Sequence, residues 1–258
     1  MGFSLRQIDI LQVIRAEGFA AVEDLSARFA VTPQTIRRDI NVLCDRGLLR
    51  RRHGGAGLPS SYETGAPEDG KVVQAEGKRR IAKAVAGRIP DGASLFIGFG
   101  TTTLEVARAL LEHDGLRVVT NNLNVAELLC RNATFDVILA AGKARNRTRD
   151  FIGETAMATF RGIRADYGIL GAGGIDSDGS LRDFDIDEVQ LSRLIIDNSR
   201  LTMVVADRTK FNRDAPVRFA SLNEVAVLVT DSPVPEPIAL LAARCGVDIQ
   251  VAGMGDGD

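Results

Sequence analysis

Cysteine is scarce in this chain. There are three among 258 residues, Cys44, Cys130 and Cys245, scattered and odd in number. They fit neither a metal knuckle nor a disulfide framework, and they suit a reducing cytoplasm. No uninterrupted apolar run reaches the ~18 residues of a spanning helix, so no membrane partner is expected. The opening MGFSLRQIDI carries Arg6 and Asp9 where a secretory leader would need an apolar stretch. The phosphate-loop pattern GxxxxGK followed by Ser or Thr is missing, which argues against a nucleoside triphosphatase. GAGGID, beginning at Gly171, lacks the GxGxxG spacing of a dinucleotide site. No cofactor is therefore expected.

What is present is an ordinary apolar fraction, 45%, enough for a real core. The length allows one large domain or a small one followed by a medium one. The net charge of -2 hides an asymmetry. Through Gly57 there are nine arginines and six acidic residues, a balance of +3; the remainder has 23 basic and 28 acidic residues, a balance of −5. A basic head on an acidic body suggests that the head alone meets a polyanion.

Within the head, Leu5, Ile8, Leu11 and Ile14 recur by threes and predict a helix over 5–17, ended by Gly18. Val22, Leu25 and Phe29 predict a second, shorter helix. In AVTPQTIRRDINVL, Thr32 is a good N-cap and Pro33 a good first helical residue. Ile36, Ile40 and Leu43 share one face of this third helix. Gln34, Arg38 and Asn41 lie opposite, with Arg37 and Thr35 at the flanks. The pattern is helix-turn-helix, whose second helix offers its polar face to a major groove. Gln and Asn match adenine edges, and Arg matches guanine edges or phosphates. GLLRRRHGGAGL then predicts a β-hairpin wing, with Arg50, Arg51, Arg52 and His53 along the DNA backbone.

VTPQTIRRDINVLCDRGLLRRRHGGA resembles the winged helix-turn-helix of the DeoR family of bacterial regulators. The match is long and ordered. It sets a DNA-binding domain at 1–57.

Residues 58–70, LPSSYETGAPEDG, have no apolar period and read as a linker. From 71 to 258 strands and helices alternate, the pattern of a mostly parallel α/β sheet with helices on both faces. Ligands of such sheets bind beyond the carboxyl ends of the strands. Four small polar or glycine-rich clusters follow predicted strands: Gly100-Thr101-Thr102-Thr103, Thr120-Asn121-Asn122, Ala141-Gly142-Lys143 and Gly171-Ala172-Gly173-Gly174. Glycine lets a backbone approach a ligand, and Thr and Asn supply short hydrogen-bonding groups. FIGFGTTTLEVARAL reads as strand, turn and helix, a turn that holds a phosphate on N–H groups and hydroxyls. Lys210 would place a positive charge on that phosphate. Asp185, Asp187 and Glu188 could meet ligand hydroxyls, and the basic loop 145–150 reads as a solvated segment.

The resemblance to the DeoR family continues through LFIGFGTT, VTNNLNVA, GIDSDGSL and DNSR. It implies that the body is a C-terminal effector-sensing and oligomerisation domain, sharing its fold with ribose-5-phosphate isomerase-like enzymes. It implies a repressor released from double-stranded operator DNA by glycerol 3-phosphate or a related sugar phosphate, acting as a homodimer or homotetramer and not as an enzyme. Gly100, Thr101, Thr102, Asn121, Asn122, Glu188 and Lys210 match the family pattern; Gly142 and Gly171 join them as expected site positions. Two positions depart from it. Gly98 stands where the family places Asp, and Ala141 where it places Gly. On the residues alone, a sugar-phosphate isomerase and a DNA-binding protein with a non-sensing body remain alternatives.

Overall fold

The computed structural model describes residues 3–17, 19–46, 48–52, 54–57, 74–146 and 148–253. The expected linker at 58–70, His53 and the helix-ending Gly18 lie outside the described residues. The chain forms two units, residues 1–65 and 66–258.

The first unit runs α1 (Leu5–Glu17), β1 (Phe19–Ala21), α2 (Val22–Phe29), α3 (Pro33–Asp45), β2 (Arg50–Arg52) and β3 (Gly55–Gly57). The third helix is built as its sequence dictates. Thr32 caps it, its hydroxyl accepting the Thr35 N–H, and Pro33 opens it. Ile36, Ile40 and Leu43 enter a core with Val22, Leu25, Ile10 and Ile14. The turn between α2 and α3 passes through Ala30, a left-handed C-cap at φ 51°. The expected wing exists as the antiparallel pair β2–β3, and β1 adds a third strand in the order β1-β3-β2.

The inner face of α1 differs from the reading by threes. Ile10, Leu11 and Ile14 are buried, while Leu5 is 82% and Ile8 40% exposed. A series spaced by three precesses about 60° per step on a 3.6-residue helix, so Leu5 ends up opposite Ile14. The i,i+4 pair Ile10–Ile14 wins instead. Asp39 is buried on the inner side of α3. Its carboxylate accepts Arg6 Nε at 2.7 Å and Gln7 Nε2 at 3.0 Å, tying α1 to α3.

The second unit opens with α4 (Ala75–Ala86), β4 (Ser94–Ile97), α5 (Thr101–Ala109), β5 (Arg117–Thr120), α6 (Leu123–Leu129) and β6 (Asp136–Leu139). It continues through β7 (Lys143–Arg145), β8 (Asp150–Ile152), α7 (Glu154–Arg161), β9 (Ala165–Gly171), β10 (Gly174–Ile175) and β11 (Ser180–Asp183). It ends with α8 (Ile186–Asn198), β12 (Ser199–Val205), β13 (Val217–Ser221), β14 (Val227–Thr230), α9 (Glu236–Cys245) and β15 (Asp248–Val251). Seven strands form one sheet in the order β15-β14-β12-β9-β4-β5-β6, every pair parallel. Two antiparallel ribbons, β10-β11-β13 and β7-β8, are additions that the alternation did not predict.

Both faces of the central strands are covered, so these strands are apolar on both sides, while the edge strand β6 leaves Ile138 41% exposed. In β4, Leu95 and Ile97 face the layer of α4, α5 and α6, with Ile81, Val85, Val106, Leu110 and Val125. Phe96 faces the other way onto α7 and α8, its ring 5.2 Å from that of Phe160. The chain starts the sheet at β4, builds outward through β5 and β6, then returns to β9 on the other side. Strand order therefore reverses between β4 and β9. At such a switch point the connections leave the strands in opposite directions and open a crevice at their carboxyl ends.

Candidate functional site

On the first unit, Gln34, Arg37 and Arg38 are exposed on α3, and Arg50 and Arg51 are exposed on β2. Arg52 continues β2. Thr32 and Thr35 share a 2.9 Å hydroxyl bond, so both are engaged in the cap. Arg37 lies 3.8 Å from Glu23 of α2. Asn41 is half-buried and accepts a hydrogen bond from the Arg51 guanidinium. The wing and the recognition helix are thus joined by two residues that the sequence assigned to separate tasks.

The second unit brings the other group together at the switch point. Gly100 takes φ 129°, a backbone conformation other residues rarely adopt, and turns the chain from β4 into α5. Thr101, Thr102 and Thr103 form the first turn of α5 and not a loop before it. No side chain caps this turn, and helix geometry leaves its N–H groups without intrahelical partners. Two lysines converge beside it. Lys78 of α4 donates to Thr101 Oγ1 at 3.0 Å and lies 3.8 Å from Asp207, just past β12. Lys210 follows three residues later in a single 3₁₀ turn that Asp207 caps. Both lysines are buried, 5% and 7% exposed.

Burial pushes the Lys78 ammonium below its ordinary range, Asp207 only partly restoring it. Burial pushes Lys210 down further, to about 7, with repulsion from Arg213 and Lys78 and opposing help from Asp207 and Asp183. Two buried lysines and the positive end of a helix therefore share this end of the crevice. Such an arrangement is completed by an anion.

Acceptors gather at the other end. Asn121 is fully buried; its Nδ2 donates to the Phe151 carbonyl at 2.9 Å, and its Oδ1 has no hydrogen-bond partner. Asn122 is occupied locally. Its Oδ1 caps α6, accepting from Asn124 and Val125, and its Nδ2 donates to the Thr148 carbonyl. Glu188, in the first turn of α8, is buried and paired with Arg145, while its Oε2 has no hydrogen-bond partner. Burial pushes Glu188 well above the usual carboxylate range, with Arg145 pulling it back. Arg145 also meets Asp150 and, at 3.1 Å, Asp185. The segment read as a solvated basic loop therefore begins with a half-buried arginine that bridges three carboxylates. Asp185 is the N-cap of α8, its Oδ1 accepting from Asp187 and Glu188.

One of the expected glycines has other work. A Cβ on Gly142 would come within 2.6 Å of the Ile152 carbonyl, so its bareness serves the packing of β8. Gly171 has no such constraint, its nearest neighbour being the Phe99 carbonyl at 3.6 Å. Ala141 is exposed, so its methyl is not an obstruction in the buried part of the crevice.

Residues 6–62 match the DeoR-like helix-turn-helix domain, and residues 73–232 match the DeoR C-terminal sensor domain. The chain belongs to the DeoR family. It pairs the family's DNA-binding domain with its sensor domain. It is 48% identical over 230 residues to the glycerol-3-phosphate regulon repressor of Escherichia coli K12, covering 89% of this chain and 91% of that one. A repressor of the same name from Haemophilus influenzae is 48% identical over 235 residues, 91% of each chain. The transcriptional repressor CsqR of Escherichia coli K12 is 40% identical over 230 residues, 89% of this chain and 88% of that one. Among solved structures, ribose 5-phosphate isomerase A from Neisseria gonorrhoeae aligns with 52% of each chain at 19% identity and a TM-score of 0.37.

The DeoR sensor domain of this chain thus contains groups that sequence reasoning passed over: Lys78, Asp207 and Asp183. Lys78 had a signal. It sits on the stripe Lys78, Ile81, Ala82 and Val85, a lysine on the buried face of α4. Among the described residues, no group of three or more His, Cys, Asp or Glu is placed to hold a metal ion. Nor, among them, is any helix long and apolar enough to cross a membrane.

Gly98, the departure from the family's Asp, is buried. A Cβ there would meet Leu170 Cδ2 at 3.1 Å, the Ile169 carbonyl at 3.4 Å and Ile195 Cδ1 at 3.7 Å. Gly98→Asp is expected to lower the stability of the sensor by about 1–3 kcal/mol, the cost of placing a polar group among apolar side chains. Thermal unfolding of the full chain checks this; an unchanged or raised melting temperature would show that the carboxylate finds a polar outlet.

Proposed function

We propose that this chain is a transcriptional repressor that leaves its operator when a small phosphorylated polyol, glycerol 3-phosphate in the first instance, fills the crevice between β4 and β9. The observation that carries the reading is the pair of buried lysines, Lys78 and Lys210, beside the uncapped N-terminus of α5. Buried ammonium groups persist where a counter-charge is supplied, and a phosphate dianion supplies it. Asn121 Oδ1 and Glu188 Oε2, buried acceptors without partners, suit the hydroxyls at the ligand's other end. The relatives named for the glycerol-3-phosphate regulon support the same ligand class.

Gln34, Arg38 and Asn41 read bases from α3 in this proposal, and Arg50, Arg51 and Arg52 hold phosphates. Two heads on a two-fold operator require at least a homodimer, and the protein works in the cytoplasm where operator and metabolite meet. The crevice senses and does not catalyse. Proton transfer between carbons needs a carboxylate poised to take the proton; in this proposal Glu188, paired with Arg145 through Oε1, meets a ligand hydroxyl through Oε2 instead.

Calorimetric titration of the full chain with glycerol 3-phosphate, ribose 5-phosphate and inorganic phosphate tests the reading. Saturable binding of a phosphorylated polyol, tighter than phosphate alone, is expected. Folded protein that binds none of them would leave the sensor domain as a scaffold.

A further inference from the structure

The crevice lies on the second unit, and residues 58–73 join that unit to the DNA-binding domain in the sequence. The first described element after that stretch is α4, and its opening turn is tied to residues at the ends of β12 and β14 and to the first turn of α5. Gln74 Oε1 accepts from Arg208 Nη2 at 3.0 Å. Gly77 packs directly on Asp231 at the end of β14; a Cβ there would lie 2.4 Å from Asp231 Oδ2. Asp231 in turn accepts the Arg208 backbone N–H at 2.7 Å. Lys78 reaches across to Thr101, in the first turn of α5, and to Asp207, next to Arg208. A single side chain thus touches the anion end of the crevice and belongs to the helix that begins where the connecting segment ends.

We infer that Lys78 is the coupling residue of this repressor: in the empty protein it holds the start of α4 to Thr101 and Asp207, and a bound phosphate draws its ammonium away from Asp207 and frees that turn. The inference rests on the ligand class proposed above. Its physical basis is competition for one cation. Asp207 lies 3.8 Å away and is already engaged in capping the 3₁₀ turn through Thr209. A dianion seated at the N-terminus of α5 is the stronger partner. Losing the Lys78–Asp207 contact loosens the link between α4 and the 207–210 turn, which also carries Arg208 and its bond to Gln74. The ligand then has different free energies with the held and the freed turn, which is the requirement for shifting anything downstream.

The test measures coupling separately from binding. Ligand affinity is taken by calorimetry, and operator affinity by gel shift, without ligand and at saturation for each variant. Wild type is expected to lose operator affinity by about 10- to 100-fold at saturating glycerol 3-phosphate. Lys78→Met is expected to bind the ligand about tenfold more weakly, yet to lose less than about threefold of its operator affinity once saturated. Asp207→Asn keeps a capping acceptor and removes the charge. It is expected to bind operator several-fold more weakly even without ligand, because the held state is undermined. Full operator release by saturated Lys78→Met would make Lys78 a ligand contact only and overturn the inference. Should Lys78→Met bind no ligand or fail to fold, Asp207→Asn decides, and wild-type operator affinity in its empty form overturns the inference. A wild type that binds no phosphorylated polyol instead removes the proposed ligand class, and the coupling role with it.

Discussion

Lys210→Met is expected to produce a repressor that responds to its effector only at much higher concentration. Ligand affinity is expected to fall about tenfold to a hundredfold, the loss of one charge-assisted contact of about 1.5–3 kcal/mol. Operator binding without ligand is expected to persist, because the contacts that hold the start of α4 run through Lys78, Asp207 and Arg208. Methionine is the apt replacement: it fills the buried site of the lysine stem and removes only the charge. A titration alongside wild type checks the loss, and unchanged affinity would place the phosphate elsewhere.

The same residue sets a pH dependence. The folded-state value of Lys210, about 7, lies below the ordinary 10.5. The unfolded chain therefore holds more protons than the folded one between about pH 7 and 10.5. Stability rises with pH across that window, and the full cost of the buried charge is present below it. Ligand binding has the opposite sign. A phosphate restores the ammonium, so binding takes up a proton above pH 7, and affinity falls as pH rises from 7 toward 9. Calorimetry at pH 8 in two buffers of different ionisation enthalpy measures the uptake. Wild type should take up protons and Lys210→Met markedly fewer.

The second large effect belongs to the DNA-binding head. Gln34→Ala and Arg38→Ala are each expected to cost about 1–3 kcal/mol at the operator and to relax base preference at one position of each half-site. Arg50→Ala is expected to weaken binding to operator and bulk DNA alike and to reduce the salt slope by about one per head. Arg51→Ala should do some of both, since its guanidinium holds Asn41 on the recognition helix. Salt titrations on operator and scrambled duplexes separate these behaviours. If Arg38→Ala weakened all DNA equally, α3 would not be the reading element.

The head was legible in its sequence because its signals are local. Thr32-Pro33 starts α3, and Ile36, Ile40 and Leu43 fix its inner face within eight residues. The failure at α1 was local too: threes and fours on a helix diverge, and only packing tells which series is buried. The parallel sheet was legible from the alternation of strands and helices. The ribbons β7-β8 and β10-β11-β13 were not, being short strands whose partners the pattern does not mark. The crevice was half legible. Glycine and threonine after a strand mark the phosphate end, but Lys78 on a helix reads as solvated until α5 covers it. Arg145 and Glu188 are 43 residues apart, a separation at which sequence spacing carries no information about contact.

That the strands flanking the crevice come from distant parts of the chain also orders events at the ribosome. Ser94 of β4 bonds to Asp166 of β9 across 72 residues, whereas the Arg6–Asp39 tie that closes the head spans 33. Non-local parallel pairing is slow, and chains fold from the N-terminus as they emerge. The head is therefore complete while β9 and β12 are still being synthesised. A newborn chain passes through an interval in which it can already engage DNA as a single basic module but has no crevice with which to be told to let go.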